Sequence, residues 1–279
     1  MSPAYNKLNL ADGTSWTIAG GDETGSILAR VLTKTMRFSP AASPAFWNLT
    51  ILNGMISGAK LSRPPLILNS APASQGSTMT CFCRPVDTNI DLADQLRKLG
   101  LTLSSSVEDR GGMLVHGALA EKNGQGILLA GPSDVGKTTA SRRLPPHWRS
   151  HSDDCTLVIR DQCGQYQAHP WPTWSSFLEG NHGQSWDVQE CVPLHAIFLL
   201  AQSTSERVAA LGKGEAACML YETAEQAWYG LNTEYDKTTL QELRTRRFHN
   251  ICELVRTIPA YTLYLSRDGA FWEQIEQVL

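Results

Sequence analysis

The segment Gly131-Pro-Ser-Asp-Val-Gly-Lys-Thr138, called the glycine loop below, has the residue types needed to bind a triphosphate. It matches G-x-x-x-x-G-K-[ST] without a departure and follows the apolar run Gly126–Ala130. Glycines let successive backbone N–H groups turn around an anion, and the positive end of the following helix adds to the attraction. The residues expected to contact a nucleotide are Gly131, Ser133, Asp134, Val135, Gly136, Lys137, Thr138 and Thr139.

Two side chains at the end of the glycine loop have separate expected roles. Lys137 can reach the β and γ oxygens as a point charge, and the Thr138 hydroxyl can take one corner of the octahedron that Mg²⁺ requires. The alternative is a glycine-rich turn with a solvated lysine. A chance match to four fixed positions should occur in only roughly one chain per hundred of this length. The pattern therefore favours a site for ATP and Mg²⁺.

A second polar segment, Ser152-Asp153-Asp154, precedes the apolar run Thr156–Ile159. Adjacent carboxylates repel each other, so the pair needs solvent or a cation, and beside a phosphate site that cation would be Mg²⁺. Neighbouring side chains on an extended backbone point to opposite sides, so the two acids should have different tasks. One is expected to face the reacting phosphate, and the other to hold the metal or the loop. Without the glycine loop, a solvated turn would be the simpler interpretation.

These two segments and a third, Leu114-Val-His116-Gly117, resemble the HPr serine kinase/phosphorylase family and, more remotely, the phosphoenolpyruvate carboxykinases. They are similar, in order and interval, to that family's His-Gly strand, phosphate loop and Asp-Asp segment. The resemblance is close as far as the Asp pair and loose over residues 111 to 279. It implies that Asp153 is the base towards an acceptor hydroxyl, that Asp154 assists the metal site, and that His116 lies beside the acid. A histidine within an apolar strand would otherwise more often be a hydrogen-bonded core residue.

The sequence after the Asp pair departs from that family. The family's Glu-Ile-Arg-Gly-Leu-Gly segment is missing, and the chain reads His169-Pro-Trp-Pro-Thr-Trp-Ser-Ser-Phe-Leu-Glu-Gly180 instead. Glu179 falls near the family's metal-binding glutamate and is a candidate metal ligand. The overall order of segments, with this Pro- and Trp-rich stretch and the later run Val192–Leu200, is similar to the HPr-kinase-like proteins of peptide-modification gene cassettes, including lasso-peptide kinases. In those proteins a precursor peptide is the acceptor. The run Pro170–Trp174 is interpreted either as one wall of a peptide groove or as a packed surface loop.

The first part of the chain lacks a recognisable chemical motif. It contains short strand-like pieces, such as Ser15–Ile18 and Leu66–Leu68, which are separated by clusters of Gly, Pro and Ser. One helix is expected at Leu92–Leu99, after the cap Asp91. We therefore expect a small N-terminal α+β domain of unassigned role at residues 1–105.

The second part, residues 106–279, has longer apolar runs that predict a central sheet covered by helices. The helix after the glycine loop should be short, because Pro145-Pro146 cannot continue a helix interior. The expected fold class is α/β, and the resemblance implies a P-loop kinase domain of HPr-kinase/phosphoenolpyruvate-carboxykinase type. The other predicted strands and helices are Met113–Leu119, Gly126–Ala130, Thr156–Ile159, His195–Leu200, Glu215–Trp228, Thr238–Thr257, Tyr261–Leu265 and Ala270–Val278.

Composition limits the partners and the location. The net charge of -3 and the absence of a long Lys/Arg run argue against a nucleic-acid-coating protein. No stretch reaches the roughly 20 apolar residues of a membrane span, and the start lacks a basic region followed by an apolar one, so a cytoplasmic protein is expected. The sequence does not indicate the oligomeric state.

The seven cysteines are mostly isolated in ordinary sequence, as reduced core thiols usually are. Cys81 and Cys83 form a C-x-C pair, but without a second pair or a nearby histidine this is poor zinc spacing. Three arginines, Arg244, Arg246 and Arg247, either contact phosphate or form the solvated face of a helix.

Three functional hypotheses follow. The leading one is an ATP- and Mg²⁺-dependent kinase that transfers the γ-phosphoryl group to a hydroxyl, in particular a serine of a precursor peptide. The second is a nucleotide-binding module that delivers a peptide without phosphorylating it. The third is a small-molecule kinase acting on free serine or a sugar.

Overall fold

The computed structural model describes residues 5–54, 66–69, 77–174, 185–229 and 235–279. In these ranges the chain is a mixed α/β protein with two sheets and six α-helices. It divides into two compact units. The first comprises Met1–Leu103, Pro172–Gln189 and Gly230–Glu242, and the second comprises Ser104–Trp171, Glu190–Tyr229 and Leu243–Leu279. The first unit thus combines the N-terminal part of the chain with two later segments, and the domain division expected at residues 105 and 106 stays a prediction.

The first unit is built on a six-stranded sheet of order β3-β1-β2-β4-β6-β5. Helix α1 begins after Asp22, whose carboxylate accepts a hydrogen bond from Gly25 N at 2.7 Å and so caps the first turn. The helix buries Leu28 and Leu32 on one face. The elements are β1 (Tyr5–Asn9), β2 (Ser15–Gly20), α1 (Glu23–Thr35), β3 (Ser39–Ala41), β4 (Trp47–Asn53), β5 (Leu66–Asn69), β6 (Ser77–Cys83) and α2 (Asn89–Ser105).

Helix α2 is longer than expected and has a different cap. Asp91 N donates to Thr88 Oγ1 at 3.1 Å, and Thr88 N donates to Asp91 Oδ2 at 3.1 Å. This reciprocal pair is a capping box with Thr88 at the cap position, so Asp91 lies in the first turn. The predicted start was wrong because Asp91 was read as the cap and not as its partner.

The second unit contains an eight-stranded sheet of order β11-β10-β7-β8-β12-β14-β13, with β9 also paired to β7. Strand β12 runs parallel to both β8 and β14. The elements are a 3-10 helix (Glu108–Arg110), β7 (Met113–Lys122), β8 (Gln125–Ala130), α3 (Lys137–Arg143), β9 (Arg149–Ser152), β10 (Cys155–Arg160), β11 (Tyr166–Trp171), β12 (Val192–Gln202), β13 (Arg207–Ala210), α4 (Lys213–Ala227), α5 (Lys237–Thr257), β14 (Ala260–Leu265) and α6 (Phe271–Glu276).

Strand β8 is buried on both faces, which explains its unbroken apolar sequence. Leu128 and Ala130 face one core cluster, which contains residues of α4 and α5. Ile127 and Leu129 face a second cluster, which contains residues of α3 and α6. The strand therefore ends at a fixed point between two packed layers, and the glycine loop leaves from that point. Strand β11 also pairs with β12, so the strands β7, β10, β11, β12 and β8 are hydrogen-bonded in a closed ring.

None of the helices in the described ranges combines the length and the apolar character that crossing a bilayer would require.

Candidate functional site

The glycine loop joins β8 to α3, as its sequence predicts. Gly136 is the residue before the first helical turn and has φ 106° and ψ 22°, a left-handed conformation that favours glycine. An added Cβ at Gly136 would meet nothing within 4 Å, so the requirement for glycine comes from the backbone and not from space. Asp134 also has positive φ, at 64°. The chain thus reverses sharply between a buried strand and the start of a helix.

Lys137 is buried in the loop, with 5% of its surface exposed. Its Nζ donates to Gly131 O and Pro132 O, both at 2.9 Å. Burial lowers the pKa of the Lys137 amine, and the Asp154 carboxylate opposes that shift. Two neutral carbonyls compensate a buried ammonium only in part. The glycine loop therefore holds the Lys137 ammonium in a position where a bound anion would compensate its charge more fully.

The two aspartates lie in a bend, not in an extended strand. Strands β9 and β10 pair one after the other along the same edge of β7, through Ser152 opposite Leu119 and Cys155 opposite His116. Asp153 and Asp154 occupy the interruption between these two pairings. The premise that an extended backbone separates the two acids was therefore wrong.

Two hydroxyl groups bridge the interruption in the strand pairing. Ser152 Oγ accepts from Leu119 N at 3.3 Å, and Thr156 Oγ1 donates to Gly117 O at 2.8 Å. An added Cβ at Gly117 would lie 2.9 Å from Leu128 Cδ1 and 3.2 Å from Leu129 O, so the glycine relieves crowding between β7 and β8. These contacts fix the bend on the same edge of β7 as His116.

The two carboxylates have different partners. Asp154 Oδ1 lies 3.2 Å from His116 Nδ1, and both side chains are mostly buried. Asp153 Oδ2 lies 3.8 Å from Nη2 of Arg142, whose side chain is largely exposed. The backbone oxygen of Asp153 is 3.5 Å from Thr138 Oγ1, which brings the bend next to the glycine loop. The histidine thus pairs with the second acid, and a division of tasks between the acids has a structural basis in these contacts.

Burial controls the charge of the His116–Asp154 pair. It raises the pKa of the Asp154 carboxyl, against the attraction of His116 and Lys137. It also lowers the pKa of the His116 imidazole, against the attraction of Asp154. Both shifts favour the neutral forms, and the charge of Lys137 opposes the shift of Asp154 but adds to that of His116.

The remaining predicted site residues are placed as follows. Ser133 and Asp134 are exposed on the glycine loop, and Thr139 is exposed in the first turn of α3. Val135 is buried. Glu179 lies outside the described residues. The structure thus brings His116, Lys137, Thr138, Asp153 and Asp154 together within the second unit.

The proposed aromatic wall of a peptide groove is wrong. Pro170 and Trp171 form the end of β11, and Trp171 is directly opposite Cys155 in the strand pairing. The exposed fraction is 2% for Trp171 and 7% for Trp174. Buried tryptophans offer no contact area to a peptide, so these side chains act as packing residues.

The three arginines of α5 each pair with a carboxylate. Arg244 Nε donates to Glu225 Oε2 at 2.8 Å, and Arg246 pairs with Asp109. Arg247 is 1% exposed, donates to Glu108 Oε1 at 2.8 Å and lies over the ring of Trp228. The sequence interpretation missed the burial of Arg247, since a charged residue on a helix is normally exposed.

Sequence reasoning also missed Cys155, which was treated as a core thiol. It is half-buried, and its Sγ lies 3.9 Å from Asp154 Oδ2. Burial raises the pKa of this thiol well above its usual range. In the sequence, the only sign of the contact between Cys155 and Asp154 is that the two residues are adjacent. The position of Cys155 opposite His116 depends on the register between β10 and β7.

The fold and the site define a mixed α/β protein with a glycine loop beside a buried His-Asp pair. Residues 84–279 match the family described as SynChlorMet cassette protein ScmC, and the chain belongs to that family. The match includes every element of the candidate site. No curated protein matches the chain.

Proposed function

We propose that this protein is an ATP- and Mg²⁺-dependent kinase with a P-loop domain of HPr-kinase/phosphoenolpyruvate-carboxykinase type. It transfers the γ-phosphoryl group of ATP to a hydroxyl, namely a serine of a peptide. The observation that carries the proposal is the position of the Asp153–Asp154 bend beside Thr138 of the glycine loop. A nucleotide-binding loop alone would support binding; an adjacent pair of acids adds the groups that phosphoryl transfer needs.

The residues present fit a triphosphate. Among the residues that the structure describes, the hydrogen-bond acceptors of the buried Lys137 amine are two backbone carbonyls, and the amine lies in the field of Asp154. A phosphate group would compensate this charge more fully than neutral carbonyls do. The left-handed Gly136 and the start of α3 give the loop the form in which backbone N–H groups bind anions. The nucleotide-contacting set proposed from the sequence is therefore retained.

The residues also fit Mg²⁺, which prefers oxygen ligands and keeps several waters. Thr138 and Asp154 would supply the protein oxygens. When bound, the ion neutralises charge on the phosphates. His116 holds Asp154 in one orientation through the 3.2 Å contact, so it acts as a positioning residue. His116 is therefore not proposed as the base that accepts the acceptor proton, because it pairs with Asp154 and not with Asp153.

Asp153 is the proposed base. It lies at the bend next to Thr138, and its carboxylate forms an ion pair with the largely exposed Arg142. In the transfer step, the acceptor oxygen bonds to the γ-phosphorus while the bond to the bridging oxygen of ADP breaks. The acceptor proton passes to the Asp153 carboxylate. Lys137 stabilises charge that develops on the phosphate oxygens.

The peptide acceptor rests on the resemblance to kinases of peptide-modification cassettes. The family to which the chain belongs is likewise that of a cassette protein. The buried tryptophans no longer support a groove at Pro170–Trp174. The acceptor class is therefore tested directly.

The test is phosphoryl transfer from ATP labelled at the γ-phosphate, with Mg²⁺ and the full chain. Candidate acceptors are serine-containing precursor peptides, free serine and sugars, and mass spectrometry identifies the product. We expect one phosphate on a peptide serine, and transfer slowed by about 10²–10⁴-fold with Asp153→Asn. The matched control is Asp109→Asn, which changes a largely exposed carboxylate. Phosphate on a metabolite alone would refute the peptide acceptor. Nucleotide binding without transfer to any acceptor would favour the delivery module.

A further inference from the structure

Three chemically different side chains converge beside the glycine loop. His116 and Cys155 are directly opposite each other in the antiparallel pair of β7 and β10, so their side chains lie on the same face of the sheet. Asp154 precedes Cys155 and turns its carboxylate towards both. One nitrogen, one oxygen and the sulfur lie within 4.8 Å of one another.

The separations fit a small metal ion. His116 Nδ1 is 3.2 Å from Asp154 Oδ1, and Asp154 Oδ2 is 3.9 Å from Cys155 Sγ. Zn²⁺ binds nitrogen and oxygen at about 2.0–2.2 Å and sulfur at about 2.3 Å, which in a tetrahedron separates the ligand atoms by roughly 3.3–3.8 Å. Small side-chain rotations would therefore bring all three atoms onto one ion.

The ligand types select the metal. Mg²⁺ requires hard oxygen ligands in an octahedron, and a sulfur ligand does not suit it. A combination of imidazole, carboxylate and thiolate suits Zn²⁺ and other thiophilic divalent cations. We propose that His116, Asp154 and Cys155 bind Zn²⁺, and that this ion inhibits phosphoryl transfer by occupying Asp154. The binding of Zn²⁺ stands on the cluster alone, whereas the inhibition rests on the proposed function.

Charge and protons balance in this site. The ion replaces the proton on Cys155 Sγ, and that proton goes to solvent. The His116 proton resides on Nε2 in the bound form, so Nδ1 offers its lone pair. One carboxylate and one thiolate together neutralise the double positive charge, which allows Lys137 to remain nearby. Three protein ligands leave the fourth position of a tetrahedron to water.

The binding test uses the full chain without nucleotide. Zn²⁺ is titrated in competition with a chromophoric chelator, and Co²⁺ is used as a spectroscopic substitute that reports sulfur coordination by a charge-transfer band. We expect Cys155→Ser to weaken Zn²⁺ binding by at least about a hundredfold, since loss of outer-shell groups alone costs ten- to a hundredfold. The matched control is Cys163→Ser, which removes an exposed thiol. His116→Gln is the second variant and should give a similar loss.

Equal Zn²⁺ affinity in the wild type, Cys155→Ser and His116→Gln would overturn the site. So would a Co²⁺ complex without the sulfur band. Thermal unfolding checks that both variants are folded.

The inhibition test measures phosphoryl transfer at fixed Mg²⁺ with increasing free Zn²⁺. We expect the wild type and Cys163→Ser to be inhibited, and Cys155→Ser to need at least about a hundredfold more Zn²⁺ for the same inhibition. Equal sensitivity of Cys155→Ser and wild type to Zn²⁺ would overturn the proposed inhibition.

If the protein binds Zn²⁺ but transfers no phosphate to any acceptor, the proposed function fails while the metal site stands. If it transfers phosphate but binds no Zn²⁺, the metal site fails alone.

Discussion

Replacing Asp153 by Asn should separate the chemistry of this protein from its folding and nucleotide binding. The amide has nearly the shape of the carboxylate but cannot accept the proton of an acceptor hydroxyl. General-base catalysis contributes about 10²–10⁴-fold, so we expect kcat to fall by that factor, equivalent to roughly 2.7–5.5 kcal/mol of transition-state stabilisation.

The structure predicts little effect of Asp153→Asn on stability. The ionic contact to Arg142 measures 3.8 Å, and the arginine side chain is 76% exposed. The Asp153 side chain is 16% exposed, but the contact is long and its partner is solvated, so this ion pair contributes about 0–1 kcal/mol. The Asp153 contact with Thr138 Oγ1 uses the backbone oxygen, which the substitution keeps. The free energy of unfolding and the Kd for ATP should therefore change much less than kcat.

The assay compares Asp153→Asn with Asp154→Asn in single-turnover phosphoryl transfer, ATP titration and thermal unfolding. Asp154→Asn removes the partner of His116 and a proposed metal ligand, so it should raise the Mg²⁺ concentration needed for half-maximal rate. High Mg²⁺ should restore part of the rate in Asp154→Asn and none in Asp153→Asn. Identical defects with identical Mg²⁺ dependence would refute the division of tasks.

Three further substitutions test the structure around the site. Trp171→Ala should lower the free energy of unfolding by about 3–5 kcal/mol and leave the affinity of the folded protein for ATP unchanged, and a stable variant with an altered acceptor KM would contradict its packing role. Arg247→Ala leaves a buried glutamate uncompensated and should cost about 3–5 kcal/mol in chemical denaturation, against about 0–1 kcal/mol for the exposed control Arg244→Ala. Equal costs would refute the burial of Arg247. For Glu276, hydrogen bonding by Lys122 lowers the pKa from 4.5 to about 2. Its contribution to stability should be fully present above about pH 4.5 and be lost as the pH falls through about 2. Melting curves across this range should show a smaller acid-induced loss in Glu276→Gln, and curves parallel to the wild type would contradict the shift.

The strands β7, β8, β10 and β12 could be predicted from the sequence because long stretches of them are buried on both faces, whereas the more exposed β9 and β13 were not predicted. Such strands read as continuous apolar runs, and the run before the glycine loop coincides with β8. The loop itself was predictable because its conformation depends on glycine at fixed positions. Gly136, with φ 106°, is the direct example.

Other features depend on contacts distant in sequence and could not be predicted in this way. The Asp153–Asp154 bend exists because β9 and β10 pair with β7 on either side of it. The position of Cys155 beside His116 follows from the same register, which a single sequence does not specify. The burial of Trp171 depends likewise on the packing of β11. Local patterns therefore located the candidate site, while tertiary pairing determined which of its residues are in contact.

The central claim is that the glycine loop binds the phosphates of ATP through Lys137. The most direct measurement is isothermal titration calorimetry of ATP with Mg²⁺, for the wild type, Lys137→Ala and the control Lys213→Ala. Lys213 also donates to a backbone carbonyl, at 2.9 Å, but lies at the start of α4. Loss of hydrogen bonds to a charged group costs about 1.5–3 kcal/mol, so Lys137→Ala should raise Kd by about ten- to 150-fold, with the control unchanged. An unaltered affinity in folded Lys137→Ala, or no binding by the wild type, would contradict the account.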